Sequence, residues 1–449
     1  MDSRGKNTAQ YELQDGAKIA VLGGGPTGSF FSIFALKMAK MMGKEINVTI
    51  FEPKDFTKDG PGGCNRCGGI ISELLLQTIA VEGINLPDRV VRKGINSYRL
   101  HTNHGSVFIS TPALEKTIAT VYRGGGPKGM AGGEKDSFDN FLLSQAVKEG
   151  ATHMPLRIDR LEYKSKPVIF SQKNEIMEAD LVAGCFGVNS TTGKLFEEMG
   201  IGYRKPPTIT AAIAELRMTE ETIAERFGNS IHLFLIPDKG IKFAAMIPKG
   251  QFVTLCILGE EMSTSVVKDF LERPLVKAVL PASYSMECSC LPKMNIGAPR
   301  KPFADRVVVC GDAGSTRLFK DGLGAAYLMG KAAAKAAVFQ GVGEADFRQE
   351  YYPVYKSIIH DNLYGSILYG VIGQYRRWKY LTKAMIEVVR KEQGDPNNTE
   401  KILSSILWDM FTGNERYKNV FLKSFKVKMH IDMWEGLFKG FLGRDNGER

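Results

Sequence analysis

Residues 17 to 52 constrain the fold most. Ala17-Lys-Ile-Ala-Val-Leu22 is an apolar run, Gly23-Gly-Gly-Pro-Thr-Gly28 interrupts it, an apolar helical stretch continues to Met42, and Val48-Thr-Ile-Phe-Glu52 is a second apolar run. Strand, glycine turn, helix and strand make a βαβ unit. The turn reads G-x-G-x-x-G, and with 48 glycines in 449 residues about half of one such match is expected by chance. Context therefore decides its meaning. This loop follows a strand and opens a helix, and Glu52 ends the next strand about 20 residues on, where a carboxylate accepts both hydroxyls of a ribose. The glycines let backbone approach a pyrophosphate, whose charge then faces the helix N-terminus. Gly23, Gly25, Pro26, Thr27, Gly28, Glu52 and the adjoining Pro53 are accordingly expected to bind a dinucleotide. A second match, Gly124-Gly-Gly-Pro-Lys-Gly129, follows no apolar strand, runs into Met-Ala-Gly-Gly and reads as a flexible loop.

Two later segments bear on which dinucleotide. Arg306-Val-Val-Val-Cys-Gly-Asp312 reads as an apolar strand ending in a glycine-aspartate turn, Gly311-Asp312-Ala313, where an aspartate can hold the ribityl hydroxyls of an extended flavin dinucleotide. Asp321-Gly322-Leu323-Gly324 then opens a small-residue helix reaching Gln340. Its N-terminal N–H groups can face the flavin pyrimidine edge and stabilise the negative charge of reduced flavin. These features favour FAD over NAD, and no second well-placed loop for NADPH is visible.

The other elements fall into groups. Phe138 to Gly150 has helical spacing and a glycine stop, and Ala179 to Asn189 reads as a buried strand leaving into a loop at Gly187. Ser97 to Thr111 carries Asn103-His104-Gly105 between alternating runs, a β-hairpin signal. Ile209 to Leu216, Ser230 to Ile236, Lys242 to Ile247 and Phe252 to Leu258 extend an antiparallel sheet, with Pro237-Asp-Lys-Gly240 and Pro248-Lys-Gly250 as turns. From Asp346 to Arg449 the pattern is helical and holds Trp378, Trp408 and Trp434. The expected fold class is α/β, with α+β for the second domain. A Rossmann-like FAD-binding domain takes residues 1–95, 139–200 and 300–345, an antiparallel-sheet substrate domain takes 96–138 and 201–299, and a helical C-terminal region takes 346–449.

Composition excludes several classes. At 43% hydrophobic and 24% charged the chain is globular rather than disordered or collagen-like. Met1 to Gly16 lacks the apolar core of a signal peptide, and no stretch approaches the roughly 20 apolar residues that span a bilayer. The expected location is the cytoplasm, or peripherally the surface of a membrane. Seven cysteines are too few and too scattered for a disulfide framework. The six histidines make no metal pattern, and no metal site is expected.

Gly23 to Gly28 with Glu52, the stretch Phe138-Asp139 to Gly150, Asp180 to Ser190, and Gly311-Asp312 followed by Gly322-x-Gly324 occur in an order that resembles the flavoprotein group containing para-hydroxybenzoate hydroxylase. Within that group the chain is similar to the geranylgeranyl reductases, which use FAD to saturate isoprenoid double bonds; the likeness covers roughly residues 15 to 345. Cys67-Gly68-Gly69-Ile70 stands where those reductases carry a Cys-Gly-Gly or Cys-Gly-Asp segment near the flavin. Phe243-Ala-Ala-Met-Ile-Pro248 stands where they carry an aromatic-x-Trp-x-Phe-Pro box at the substrate cavity, with Ala245 in place of Trp and Ile247 in place of the second aromatic. The resemblance implies FAD contacts from Cys67, Gly68, Arg123, Gly187, Gly311, Asp312, Gly322, Leu323 and Gly324, and a substrate cavity lined by Phe243, Ala245, Ile247 and Pro248. Lys320 replaces a proline common beside the flavin ring, where a cation favours anionic flavin; the plainer reading is an exposed loop lysine.

Saturating an unactivated alkene needs a hydride at one carbon and a proton at the other. By resemblance Cys67 is the acid or gate, with Arg66 as a tuning neighbour. Cys64-Asn-Arg-Cys67 is also a C-x-x-C pair, so a redox dithiol is a rival role, and a metal would need further ligands such as Cys288 and Cys290.

Half of the net charge of +10 falls after residue 350, among aromatic residues. Trp434, Leu437, Phe438, Phe441 and Leu442 form one helical stripe that, with Lys439 and Arg444, either lies on an anionic membrane or docks on the protein's own core; docking is the expectation. Nucleic-acid binding finds no module. The implied activity is that of an FAD-dependent oxidoreductase reducing carbon–carbon double bonds of a prenyl lipid or related apolar substrate, with ferredoxin or NAD(P)H as electron donor. The alternatives are an FAD-dependent monooxygenase of an aromatic or isoprenoid substrate and a non-catalytic prenyl-lipid carrier, the latter disfavoured by Glu52, Asp312 and the loop at Gly322.

Overall fold

The computed structural model describes residues 10–130, 136–171, 176–238, 240–260, 262–395, 397–398 and 400–442. Lys239 of the expected turn, Ala131-Gly132-Gly133 after the second glycine loop, and Arg444 lie outside the described residues, as do the side chains of Lys439, Phe441 and Leu442. The chain divides into two compact units, residues 1–65, 122–208 and 293–360, and residues 66–121, 209–292 and 361–449.

The first unit is built on a mostly parallel sheet. Strand Ala17–Leu22 lies between Ile46–Phe51 and Leu181–Gly184; Thr152–Met154 extends one side, Val307–Val309 the other, and Phe303–Ala304 closes that edge antiparallel. Ile19, Ala20, Val21, Leu181 and Val182 are fully buried, as expected of a parallel sheet covered on both faces. Helix Pro26–Met41 starts with proline, whose missing N–H costs nothing in the first turn. Helix Gly322–Phe339 packs on it through small residues: a Cβ on Gly330 would stand 3.0 Å from the Thr27 carbonyl oxygen. Phe30 and Phe34 meet Tyr327 edge-on at 5.5 and 5.6 Å. An antiparallel ribbon of Ile158–Tyr163, Pro167–Ser171 and Ile176–Glu178, with no counterpart in the sequence reading, completes this unit's sheets.

The second unit holds a larger sheet in the order Ser285–Cys290, Thr208–Arg217, Phe252–Gly259, Ile241–Lys249, Ser230–Phe234, Ser97–Thr102, Gly105–Ser110. The hairpin signal is realised as a two-residue turn, with Thr102 paired to Gly105. The sheet expected to be antiparallel is mixed, because Ser230–Phe234 runs parallel to Ser97–Thr102. Those two strands are joined through long intervening sequence rather than a tight turn, so nothing forces them to oppose.

Alternation gives this sheet two different faces. Ala212, Ala214, Leu216, Ala244, Met246, Val253, Leu255 and Ile257 pack into a core with Phe227, Phe234, Phe270 and Val276. The other face carries Phe243, Ala245, Ile247 and Lys249 beside Thr254 and Cys256, then Ile213 and Glu215, then Cys288 and Cys290. Pro248 sits opposite Val253, on the core face rather than with its neighbours Ile247 and Lys249.

Several expected boundaries move, and residues 122–130, 136–138, 201–208, 293–299 and 346–360 fall in the first unit. Residues 66–95 were expected with the FAD-binding domain, but Ile70–Ser72 and Val91–Ile95 both pair with Ile118–Val121 and join the second unit. The C-terminal helices are not a region apart: residues 361–442 supply core to the second unit. Trp408 stacks on Tyr98 at 4.5 Å and donates its Nε1–H to the Lys116 carbonyl at 3.0 Å. Beneath it, buried Asp409 accepts from Lys116 and Lys423 at 3.0 and 2.6 Å. Glu392 caps helix Ile402–Phe411 by accepting the amides of Leu403 and Ser404 at 2.9 and 2.7 Å. The last helix, Val427–Leu442, does dock, but not by the expected stripe: Met429, Met433 and Gly436 face inward, whereas Trp434 and Phe438 are 63% and 61% exposed. Met429, Met433 and Gly436 repeat at helical spacing, and Gly436 lets the helix reach within van der Waals contact of Ala384.

Candidate active site

The glycine turn of the first unit is shaped by backbone contacts that exclude side chains. Gly23 has φ +114°, and a Cβ on it would fall 2.4 Å from the Cys185 carbonyl oxygen. A Cβ on Gly28 would fall 1.9 Å from the Gly23 carbonyl oxygen, and one on Gly311, at φ +66°, 2.1 Å from Thr27 Oγ1. Gly25 caps helix Pro26–Met41 without any side-chain hydrogen bond, and no acidic residue stands in the first turn. That helix end is positive and open to an anion. Glu52 is buried and accepts the amides of Gly24 and Lys54 at 2.9 and 3.0 Å. Burial pushes its carboxyl up, and the two amides partly offset this. Pro53 beside it is exposed.

A second hub stands next to the turn. Asp139, completely buried, accepts from Arg123 Nε at 2.6 Å, Asn65 Nδ2 at 2.7 Å and the Gly124 amide at 2.9 Å. Lys54 Nζ reaches Asn65 Oδ1 at 2.8 Å and the Cys64 carbonyl at 3.0 Å, fixing the backbone at Cys64. The loop expected to be flexible is part of this hub. Gly124 to Pro127 are buried, Gly60 donates its amide to the Gly126 carbonyl at 3.0 Å, and a Cβ on Gly125 would fall 1.7 Å from the Lys58 carbonyl oxygen. Its glycines serve close packing of two loops, which a motif count cannot distinguish from flexibility.

Asp312 is solvent-accessible, yet protein surrounds it closely enough for desolvation to raise its carboxyl above the usual range, with Arg123 and Thr316 opposing. A Cβ on Gly322, also exposed, would stand 3.8 Å from Asp312 Oδ1, so the two are neighbours. Leu323 and Gly324 are buried, and the Gly324 amide is engaged by the capping Asp321 at 3.0 Å. Gly187, at φ +65°, has open space where a Cβ would be. Lys320 is 7% exposed, which overturns the reading as a loop lysine in water. It lies between Phe319 and Asp321, both at positive φ, and Arg317 pairs with Asp321 at 2.8 Å.

In the second unit, the Cys67-Gly68-Gly69 segment rests on the sheet face described above. A Cβ on Gly68 would stand 3.2 Å from Ile247 Cδ1 and 3.4 Å from Cys256 Sγ, and one on Gly69 2.9 Å from Lys249 Nζ. The Gly69 amide approaches Cys67 Sγ at 3.5 Å. Phe243 stacks on Tyr369 at 5.9 Å and meets Phe411 edge-on at 5.2 Å. All seven cysteines are thiols, and among the described residues no group of histidine, cysteine and carboxylate side chains is arranged to hold a metal.

No family model matches the chain. A digeranylgeranylglycerophospholipid reductase of Methanococcus vannielii is 26% identical over 310 residues, spanning 67% of this chain and 71% of that one. Among solved structures, a flavin-dependent brominase (13% identity, TM-score 0.59, covering 92% of this chain and 98% of that one) and a flavoprotein/dehydrogenase from Cytophaga hutchinsonii (13% identity, TM-score 0.58, 92% and 100%) share the fold. The chain is thus similar in sequence to this reductase, and it shares the fold of flavin-dependent enzymes.

The residues present fit FAD. The uncapped helix end at Gly25, the open space at Gly187, the exposed Asp312 beside Gly322, and the buried hydroxyl of Ser315 without a hydrogen-bond partner among the described residues are features a bound dinucleotide accounts for. Sequence reasoning did not single out Asn65, Glu215, Lys249 or the hub role of Asp139. Lys249 carried a readable signal: it follows Phe243, Ala245 and Ile247 at the same two-residue period, so it falls on their face once the strand is extended by two residues.

Proposed function

We propose that this flavoprotein reduces carbon–carbon double bonds of a prenyl lipid or a related apolar substrate, with Cys67 as the acid. The reading is carried by the seating of Cys67-Gly68-Gly69 on a sheet face whose Phe243, Ala245 and Ile247 are apolar and dry. When bound, FAD supplies the hydride. Gly23, Gly25, Thr27 and Gly28 hold its pyrophosphate, Glu52 its ribose and Asp312 its ribityl chain; Arg123 balances Asp312, and buried Lys320 adds a cation. Cys67 delivers the proton from its Sγ, and the apolar face excludes water that would compete for it. The reductase activity in the Methanococcus vannielii relative's name supports the substrate class.

A prenyl lipid is reached at a membrane. Leu422, Phe425, Val427, Ile431, Trp434 and Phe438 are exposed apolar side chains of the C-terminal helices, with Lys426 and Lys428 among them, and they support residence on an anionic surface. Among the described residues no helix is long and apolar enough to cross a membrane. The experiment is anaerobic: the flavin is reduced with dithionite and mixed with a prenylated lipid. Reoxidation under nitrogen, with the lipid gaining two hydrogens per flavin, supports the reductase reading. Oxygen-dependent formation of a hydroxylated product driven by NAD(P)H sinks it in favour of a monooxygenase.

A further inference from the structure

We propose that helix Tyr352–Tyr375, from Leu363 onward, is the membrane-facing wall of the second unit: its outer side and the basic aromatic segment Arg377–Tyr380 seat on an anionic phospholipid bilayer. A helix that is apolar all round is normally buried all round. This one is apolar on two sides and covered on one. On the inner side Leu368 is buried, Tyr369 stacks on Phe243 and meets Phe411 edge-on at 6.2 Å, and a Cβ on Gly365 would fall 2.7 Å from the Tyr417 ring. On the outer side Leu363, Ile367 and Val371 repeat at helical spacing and are exposed, Leu363 at 62%. Ser366, Gly370 and Gln374, also exposed, stand between them, so the stripe from 363 to 374 carries no charge.

Charge decides the occupant. Between residues 361 and 386 the one carboxylate is Asp361, which is buried and accepts the amides of Tyr417 and Lys418 at 3.0 and 2.9 Å. Arg376 turns inward and donates to the carbonyls of Ile241 and Lys242; Asp238 and Glu260, which act on it, are ion-paired with Arg273 and Lys242. Arg377, Lys379 and Lys383 are exposed and form no ion pair among the described residues. Trp378, 64% exposed, and Tyr380 stand among them. Aromatic side chains with a polar tip, set among cations at the end of an apolar stripe, suit the boundary between acyl chains and anionic headgroups. A second copy of this chain meeting the same face offers the stripe an apolar partner but no anion for those cations. The stripe is continuous with the exposed Leu422 and Phe425: Tyr364, beside Leu363, meets Phe421 at 5.3 Å, and Phe421 meets Phe425 edge-on at 4.9 Å. The lipid surface proposed for the last helices therefore extends over this one, and loss of either part weakens binding. Seating on lipid does not depend on what the flavin reduces; that the helix stands between bilayer and substrate rests on the proposed prenyl substrate and its Phe243 face.

In the test, full-length FAD-loaded protein is mixed with phosphatidylglycerol–phosphatidylcholine vesicles whose acyl chains carry bromine, a contact quencher of tryptophan emission. Trp408 is core and serves as the unquenched reference. In Trp434→Phe, which leaves Trp378 as the exposed tryptophan, emission is expected to be lower with brominated than with plain vesicles, and adding Trp378→Phe abolishes the difference. Each basic residue near an anionic surface contributes about fivefold to binding, so Arg377→Gln with Lys379→Gln is expected to weaken sedimentation with anionic vesicles about twentyfold, retained FAD absorbance showing an intact fold. Absence of quenching in Trp434→Phe while the vesicles still sediment it overturns the proposal and leaves the patch at Trp434 and Phe438 as the membrane contact. A concentration-dependent dimer that Ile367→Glu dissociates, without vesicle binding, assigns the stripe to a second copy and overturns it as well.

Discussion

The Glu52 carboxylate accepts the Gly24 amide at 2.9 Å, tying the end of the second parallel strand to the glycine turn after the first. Because Glu52 Oε1 also accepts the Lys54 amide at 3.0 Å, the side chain is held in place before any ribose arrives. Glu52→Ala removes both charge-assisted bonds and the expected ribose contact. FAD affinity is expected to fall by about tenfold to a hundredfold, the worth of a hydrogen bond to a charged group. Flavin titration followed by visible absorption measures it, and wild-type affinity in Glu52→Ala would remove Glu52 from the cofactor site.

Cys67 is expected to separate cofactor binding from chemistry. Cys67→Ala removes a thiol and leaves Gly68 against Ile247 and Cys256, so FAD should be retained. Turnover is expected to fall by about 10²- to 10⁴-fold, the contribution of a positioned acid. Normal turnover with normal flavin content would mean that another group donates the proton.

His101 and His232 form a buried pair, Nε2 to Nδ1 at 3.1 Å, and burial holds their pKa values at about 4 and about 3. Both lie below the ordinary value of about 6.5. As pH falls below that value the unfolded chain takes up protons that the folded chain refuses, so stability declines until the folded values are reached. The slope approaches about 1.4 kcal/mol per pH unit for each histidine. His232→Phe should flatten the decline, as measured by denaturant unfolding at several pH values; parallel curves for the two proteins would refute the assignment.

Trp434 and Phe438 lie on the solvent side of a helix whose Met429 and Met433 face inward. Replacing both with glutamate removes apolar contact without touching the docked face, so thermal stability should stay within about 0.5 kcal/mol. Sedimentation with anionic phospholipid vesicles should drop to the level seen with neutral vesicles. Unchanged vesicle binding would show that the patch meets something other than a membrane.

The features legible in the sequence are those encoded over short range. The turn at Gly23 to Gly28 requires backbone that passes within 1.9 Å of where a Cβ would sit, and the two-residue hairpin at Asn103-His104 depends on its own turn residues. Asp139 shows the limit. Its neighbourhood in the chain marks only a helix start, whereas its partners Arg123, Asn65 and Gly124 come from two separate loops.

The amino-acid sequence by itself determined the βαβ unit and the glycine and glycine-aspartate turns, because each depends on residues a few positions apart. Tertiary structure alone decided that the second glycine loop is packed, that Lys320 is buried, that Trp408 is core while Trp434 is not, and that Glu215 and Lys249 share a face. The reason is that burial and electrostatic neighbourhood are properties of strand pairing and helix docking, which bring together side chains whose positions in the chain carry no mark of one another.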